Sequence, residues 1–267
     1  MPRYEGFSKR SDAESAKAAR DTRMQALIVI PVRMAASRLP GKPLADIGGR
    51  SMLARMIAAA KAAAIGPVLV AAAEPELAAE AHACGAEAVL TDPALPSGTD
   101  RVWVAAQARA EEVILNLQGD MPSCPPGLIR QALETLEQQP LADIATLASP
   151  SEDPADRDNP NVVKAVAALG PGARSGPALY FSRAAIPSGP GPVLRHVGLY
   201  VYRRAALQRF TAAPASPLEQ RERLEQLRAL ELGLRIEVGL CEAFPKGVDT
   251  PEDLAAARAA LGKAPFA

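Results

Sequence analysis

The chain has 267 residues, enough to bury a full core in one domain or in one domain with a flap. Lys and Arg total 30 and Asp and Glu total 30, so the formal net charge is zero and no global basic field exists to hold nucleic acid or an anionic membrane surface. The three cysteines, Cys84, Cys124 and Cys241, form no Cys-x-x-Cys pair, which points away from a disulfide frame or a zinc site and towards a reducing compartment, the cytoplasm.

Residues 1–25 are polar and charged without an apolar centre, so they read as a disordered or weakly helical extension rather than a secretory signal. No run approaches the ~18 apolar residues of a membrane helix. Strand and helix signals then alternate over residues 26–149. Ala26–Val32 is an apolar run that reads as a buried parallel strand. Ser51 caps a helix to Ile65, with Met52, Leu53, Met56 and Ile57 on one face. A strand over Pro67–Ala72, a helix over Pro75–Ala83 ended by Gly85 and a strand over Ala86–Leu90 follow. A helix over Asp100–Ala110, a strand over Glu112–Leu117, a helix over Pro126–Gln138 and a strand over Asp143–Leu147 complete this half. Such βαβ units predict an α/β fold with a doubly wound, mostly parallel sheet. Neither G-x-G-x-x-G nor G-x-x-x-x-G-K-[ST] follows the first strand, which argues against a dinucleotide site or a P-loop.

The second half changes character. Residues 150–161 are rich in Asp, Pro and Asn and read as a loop. Val162–Leu169, Ala178–Phe181 and His196–Tyr202 read as strands joined by Gly/Pro turns, a smaller antiparallel extension. Residues 217–232 read as one charged helix striped by Leu218, Leu224, Leu227 and Leu230, and Arg235–Leu240 as a strand. Thr250-Pro-Glu-Asp253 reads as a capping box with Pro at the first helical position.

The loop after the first strand carries Arg33, Arg38, Gly41 and Lys42. Arg offers a planar fork, Lys a point charge, and Gly lets backbone N–H groups approach a phosphate. Open α/β sheets bind ligands beyond the C-terminal ends of their strands, which favours an anion site over a merely solvated basic loop. Gln118-Gly119-Asp120 ends the fourth strand on that rim, and Asp249 precedes the last helix. Two carboxylates with phosphate oxygens suit Mg²⁺; alternatively Asp120 is a turn residue and Asp249 a capping carboxylate. Ser97-Gly98-Thr99 opens a helix where N–H groups can hold a phosphate or a base. His196 beside Arg195 reads either as a core histidine or, with Arg183 and Tyr180, as a group suited to an acidic sugar. Glu219, Glu222 and Glu225 are equally compatible with a solvated helix face.

These residues resemble the 3-deoxy-manno-octulosonate (Kdo) cytidylyltransferase family, the CMP-Kdo synthetases, over Ala26 to Leu261. The resemblance is carried by Arg33-Met-Ala-Ala-Ser-Arg-Leu-Pro-Gly-Lys-Pro-Leu44, Ser97-Gly-Thr-Asp-Arg101, Asn116-Leu-Gln-Gly-Asp120, Asn159-Pro-Asn161 with Val163-Lys164, and Ala178-Leu-Tyr-Phe-Ser-Arg-Ala-Ala-Ile-Pro187. Arg195-His-Val-Gly-Leu-Tyr-Val-Tyr202, Leu224-Glu-Gln-Leu-Arg228 and Gly247-Val-Asp-Thr-Pro-Glu-Asp253 extend it. It implies a Rossmann-like nucleotidyltransferase fold, CTP and an acidic eight-carbon sugar as substrates, Mg²⁺ as cofactor and a homodimer. On it, residues 26–149 form the nucleotide-binding core, and residues 150–267 a sugar-binding and dimerisation region completing the same domain. Arg33 and Lys42 would meet the CTP phosphates, and Arg38, Ser97, Gly98 and Thr99 would also bind the nucleotide. Gln118, Arg183, His196, Tyr200, Glu225 and Gln226 would meet the sugar acid, and Asp120 and Asp249 would hold metal; Arg33, Lys42, Asp120 and Asp249 form the catalytic set.

The chain departs from the family pattern at four positions. Met121 stands where the family usually has Glu, and Ala73 where an Asp usually ends the second strand. Pro96 precedes Ser97 in place of a Gln, and Gln220 follows Pro-Leu-Glu in place of a His. Two alternatives therefore stand beside CMP-Kdo formation for lipopolysaccharide synthesis: the same transfer to a related ulosonic acid, such as 8-amino-Kdo or a nonulosonic acid, or a degraded nucleotide- or sugar-binding paralogue.

Overall fold

The computed structural model describes Met24, residues 26–35 and residues 38–262. The extension expected over residues 1–25 lies outside the described residues except at Met24.

Among the described residues, nine strands build one sheet: β1 (Ala26–Val32), β2 (Val68–Ala72), β3 (Glu87–Leu90), β4 (Val113–Leu117), β5 (Ile144–Ser151), β6 (Lys164–Ala167), β7 (Ser175–Ser182), β8 (Val193–Arg203) and β9 (Ile236–Leu240). Their order is β3-β2-β1-β4-β8-β5-β9-β7-β6. β1 runs parallel to both β2 and β4, so the chain winds outward to β3 on one side and returns to β4 on the other. The strand order reverses at β1, and the crevice at such a point is where doubly wound sheets bind ligands.

Helices cover both faces. They are α1 (Met52–Ala63), α2 (Pro75–Ala83), α3 (Gly98–Ala106), α4 (Pro126–Glu137), α5 (Pro154–Asp158), α6 (Arg204–Ala212), α7 (Pro217–Glu222), α8 (Gln226–Glu231) and α9 (Pro251–Leu261). Alternate residues of β1 feed two cores, as a strand's two-residue period requires. Ile28 and Ile30 pack with Leu53 and Met56 of α1 and with Leu128 and Leu133 of α4. Leu27 and Val29 pack with Val102 of α3 and with Leu207 and Phe210 of α6. A third cluster, Ile47, Met52, Val248 and Leu254, pins α9 beside the loop that follows β1.

The structure corrects four sequence expectations. β8 is not confined to a peripheral extension: it inserts antiparallel between β4 and β5, while its first residues also pair with β6. α6 was not expected, and α5 lies inside the segment read as a loop. The charged helix over residues 217–232 is broken in two, with Arg223 left-handed at φ 56°. The break has a cause in the buried pair Glu219–Arg228, whose Nε and Nη2 donate to the two carboxylate oxygens at 2.7 and 2.6 Å. Nine residues of straight helix would separate these side chains by about 13 Å of rise, so α8 must fold back on α7.

Candidate active site

The loop leaving β1 is built by local chemistry. Gly41 sits left-handed at φ 72°, its N–H donating to Met34 O at 3.1 Å, and the turn delivers Lys42 into a short 3₁₀ segment over Lys42–Leu44. The Glu74 carboxylate at the N-cap of α2 accepts the Met34 N–H at 3.0 Å and ties the loop to the end of β2. Gly119 lets the turn after β4 lie against β1: a Cβ there would come within 2.8 Å of Val32 Cγ1 and 3.1 Å of Pro31 O. The Asp120 carbonyl accepts the Val248 N–H at 2.8 Å, which joins that turn to the approach of α9.

These constraints bring two distant carboxylates together. Lys42 Nζ donates to Asp120 Oδ2 at 3.1 Å and to Asp249 Oδ1 at 2.9 Å, and Arg38 reaches Asp249 Oδ2 at 3.1 Å. Asp249 does not cap α9. Thr250 and Asp253 form that cap as a capping box, and Asp253 Oδ2 also accepts the Asp249 N–H. Those bonds hold the Asp253 carboxyl below its usual range despite its partial burial. The Asp249 carboxylate is left to face cations.

Arg33, Arg38, Lys42, Ser97, Gly98, Gln118, Asp120 and Asp249 line one cavity of about 310 Å³. Ser97 caps α3, accepting the Asp100 N–H. Arg101, part of a quoted motif but not singled out as a site residue, also lines the cavity. Its guanidinium donates to Thr91 Oγ1 and to Asp92 O, and burial, with Arg33 nearby, lowers its pKa. Thr99 stands apart from its neighbours: its side chain is 1% exposed and its hydroxyl turns inward to Glu225.

Arg183, His196, Tyr200, Glu225 and Gln226 do not line this cavity. His196, Tyr200 and Tyr202 form a run of rings between Phe181 and Phe210. His196 keeps slight surface exposure, yet its ring is desolvated and its pKa falls to about 3. Thr146 Oγ1 lies 2.9 Å from His196 Nε2 and 2.8 Å from the Leu199 carbonyl. One hydroxyl proton satisfies both contacts when Thr146 donates to Leu199 O and accepts from a neutral imidazole protonated on Nε2. Burial also raises the Tyr200 pKa. Arg183 donates to the Glu222 carbonyl at 3.2 Å and the Pro160 carbonyl at 3.0 Å. Beneath it, the fully buried Lys164 ammonium donates to the carbonyls of Asn159, Val162 and Arg183, and desolvation lowers its pKa. The Asn159–Lys164 motif thus fixes the backbone that carries Arg183.

The departures from the family pattern find physical settings. Met121 is 5% exposed and packs into the α1/α4 core, so position 121 adds no carboxylate to the rim. Ala73 closes β2 by donating its N–H to Val32 O, and a carboxylate does follow at Glu74. Pro96 is exposed, and Gln220 donates to Ala215 O at 3.0 Å.

Residues 27–236 match the model of the cytidylyltransferase family. The 3-deoxy-manno-octulosonate cytidylyltransferase of Parvibaculum lavamentivorans is 56% identical over 250 residues, covering 92% of this chain and 96% of that protein. Its namesake from Rhodospirillum rubrum is 54% identical over 240 residues, covering 88% and 95%. Among solved structures, a CMP:2-keto-3-deoxy-manno-octonic acid synthetase complexed with CTP superposes with a TM-score of 0.84 at 37% identity, covering 90% of this chain and 99% of that one. A putative glucose-1-phosphate thymidylyltransferase from Bacillus anthracis, at 15% identity and a TM-score of 0.65, shares the fold. With the two-cation loop, the paired carboxylates and the motifs between them in place, the chain belongs to the cytidylyltransferase family, within the 3-deoxy-manno-octulosonate cytidylyltransferases.

Proposed function

We propose that the chain transfers a cytidylyl group from CTP to Kdo, forming CMP-Kdo and pyrophosphate for lipopolysaccharide synthesis. The observation that carries this reading is the cavity in which Arg33, Arg38 and Lys42 face Asp120 and Asp249, in a chain 56% identical to a relative named for that reaction. The anomeric hydroxyl of the sugar acid attacks the α-phosphorus of CTP in line, and the bond to the pyrophosphate oxygen breaks. Such a transfer is catalysed mainly by positioning and charge neutralisation, and no covalent enzyme intermediate is required. Arg33 and Lys42 stabilise the charge on the departing pyrophosphate, while Ser97 and Gly98 support the nucleotide at the start of α3.

The carboxylates fit Mg²⁺. Both already converge on a single cationic atom, Lys42 Nζ, and the donor set is all hard oxygen. Asp120 and Asp249 would hold the ion with phosphate oxygens and water completing its shell. When bound, Mg²⁺ supplies Lewis-acid polarisation of the phosphoryl oxygens and lowers the pKa of a coordinated hydroxyl. Gln118, Arg183, His196, Tyr200, Glu225 and Gln226 then belong to the sugar-acid side. We place the enzyme in the cytoplasm as a homodimer. Among the described residues, no helix is long and apolar enough to cross a membrane.

The test is product identity. Incubation with CTP, Mg²⁺ and a panel of ulosonic acids, followed by mass spectrometry, should give CMP-Kdo as the dominant product. A dominant CMP adduct of another acid shifts the substrate, and no adduct with any acid leaves the binding-paralogue reading.

A further inference from the structure

Four polar side chains run in a line from the cavity wall into the core. Thr99 Oγ1 donates to Glu225 Oε2 at 2.7 Å, Asn116 Nδ2 donates to Thr99 Oγ1 at 3.3 Å, and Gln118 Nε2 donates to Asn116 Oδ1 at 3.2 Å. The two middle members are sealed: Asn116 is 0% and Thr99 1% exposed. The two ends are not spent. Gln118 lines the cavity with its Oε1 turned towards Gly98, and Glu225 Oε1 is buried with no hydrogen-bond partner among the described residues.

The direction of every bond follows from one end. Thr99 has one hydroxyl proton, and the 2.7 Å contact directs it to Glu225 Oε2. The Thr99 oxygen then accepts from the only donor Asn116 has, its Nδ2. The Asn116 carbonyl oxygen accordingly accepts from Gln118 Nε2, which fixes the orientation of the Gln118 amide and leaves its carbonyl oxygen and its second Nε2 N–H for the cavity. Buried polar groups tolerate no other arrangement cheaply, because each reversed amide sets two donors or two acceptors against each other.

We propose that Thr99 and Asn116 are positioning residues that fix the orientation of the Gln118 amide and the Glu225 carboxylate, and so tune how the site takes the sugar acid. Thr99 acts through Glu225 and Gln118 and does not itself touch the nucleotide. The inference rests on the reading of Gln118 and Glu225 as sugar-facing. Asn116 is the fourth of the five residues of β4, whose other four are apolar, and a fully buried amide there costs stability unless its polar atoms are used.

The experiment compares Thr99→Val, which keeps the shape and loses the hydroxyl, with Thr99→Ser, which keeps the hydroxyl, in steady-state assays varying CTP and Kdo separately. Thr99→Val should raise the KM for Kdo by about tenfold or more, the size expected for about one lost or misdirected hydrogen bond, with the KM for CTP within about twofold. Thr99→Ser should restore the wild-type KM for Kdo. Equal rises for both substrates, or a rise confined to CTP, would overturn the proposal. Thr99→Ala serves as the second variant if the valine form does not fold. Failure of both to fold while Thr99→Ser folds would make the hydroxyl a purely structural need and would equally overturn it. An inactive wild type with CTP and Kdo would instead overturn the underlying substrate reading, so the two failures are distinguishable.

Discussion

Lys42 Nζ lies 2.9 Å from Asp249 Oδ1, and the same ammonium lies 3.1 Å from Asp120 Oδ2. Residues 42, 120 and 249 come from three separate segments, yet they meet at one atom. The Lys42 side chain is 14% exposed and the two carboxylates 32% and 48%, so the cluster opens onto solvent and is reachable by a phosphate. The ammonium thus bridges two like charges.

The first expectation concerns those carboxylates. Asp120→Asn and Asp249→Asn each keep the side-chain volume and remove the charge a hard cation requires. Each should abolish measurable turnover while circular dichroism and thermal unfolding stay close to wild type. Activity within about threefold of wild type in both, a difference of well under one kcal/mol in the barrier, would contradict the metal assignment.

A second expectation follows from the shared ammonium. A divalent cation held by both carboxylates competes with Lys42 for them, whereas CTP offers the lysine phosphate oxygens instead. Titration of the free protein with Mn²⁺, followed by electron paramagnetic resonance, should show weak binding that tightens by about tenfold or more when a non-hydrolysable CTP analogue is present. Lys42→Met should bind Mn²⁺ without nucleotide more tightly than wild type, because the competing charge is gone. Equal Mn²⁺ affinity in wild type and Lys42→Met would show that the lysine does not guard the site.

The third expectation concerns pH. Burial takes His196 from an ordinary value of 6.5 to about 3 in the folded protein. The unfolded chain therefore binds more protons at this residue between those two values. Stability attributable to His196 is complete above about 6.5 and declines as pH falls towards 3. Urea unfolding measured between pH 7 and pH 4 should show this slope, reduced in His196→Gln. In the folded protein the imidazole should stay neutral in an NMR titration down to pH 4.5. Protonation of His196 near pH 6 would contradict the burial argument, and it would restore a cationic role towards a carboxylate that the neutral ring lacks.

How much of this was legible in the chain depends on the range of the forces involved. Local signals read well. The apolar run of β1, the Ser51 cap and the Thr250–Asp253 capping box appear where their residue types place them, because capping and strand patterning are decided within a few residues. The place of Arg33, Lys42, Gln118 and Asp120 on the rim was legible too, since Arg33 and Gln118 directly follow β1 and β4 and Lys42 and Asp120 lie in the segments that come next. The insertion of β8 between β4 and β5 was not legible, because pairing Asn116 with Tyr200 depends on contacts more than eighty residues apart. The break at Arg223 was hidden for a similar reason: leucine spacing favoured one helix, and the deciding Glu219–Arg228 pair forms only after the chain has turned. The inward turn of Thr99 was equally hidden. Its motif shows a helix start, but only the packed structure shows which of the first residues faces the cavity.

Joining CTP to an eight-carbon sugar acid is the activity proposed for this cavity. Continuous measurement of pyrophosphate release from purified protein given CTP and Kdo, with and without Mg²⁺, tests it most directly. Release should require all three components, fall away when any one is omitted, and be lost in Asp249→Asn. Absence of release with the complete mixture, or release that proceeds unchanged without Kdo, would contradict it.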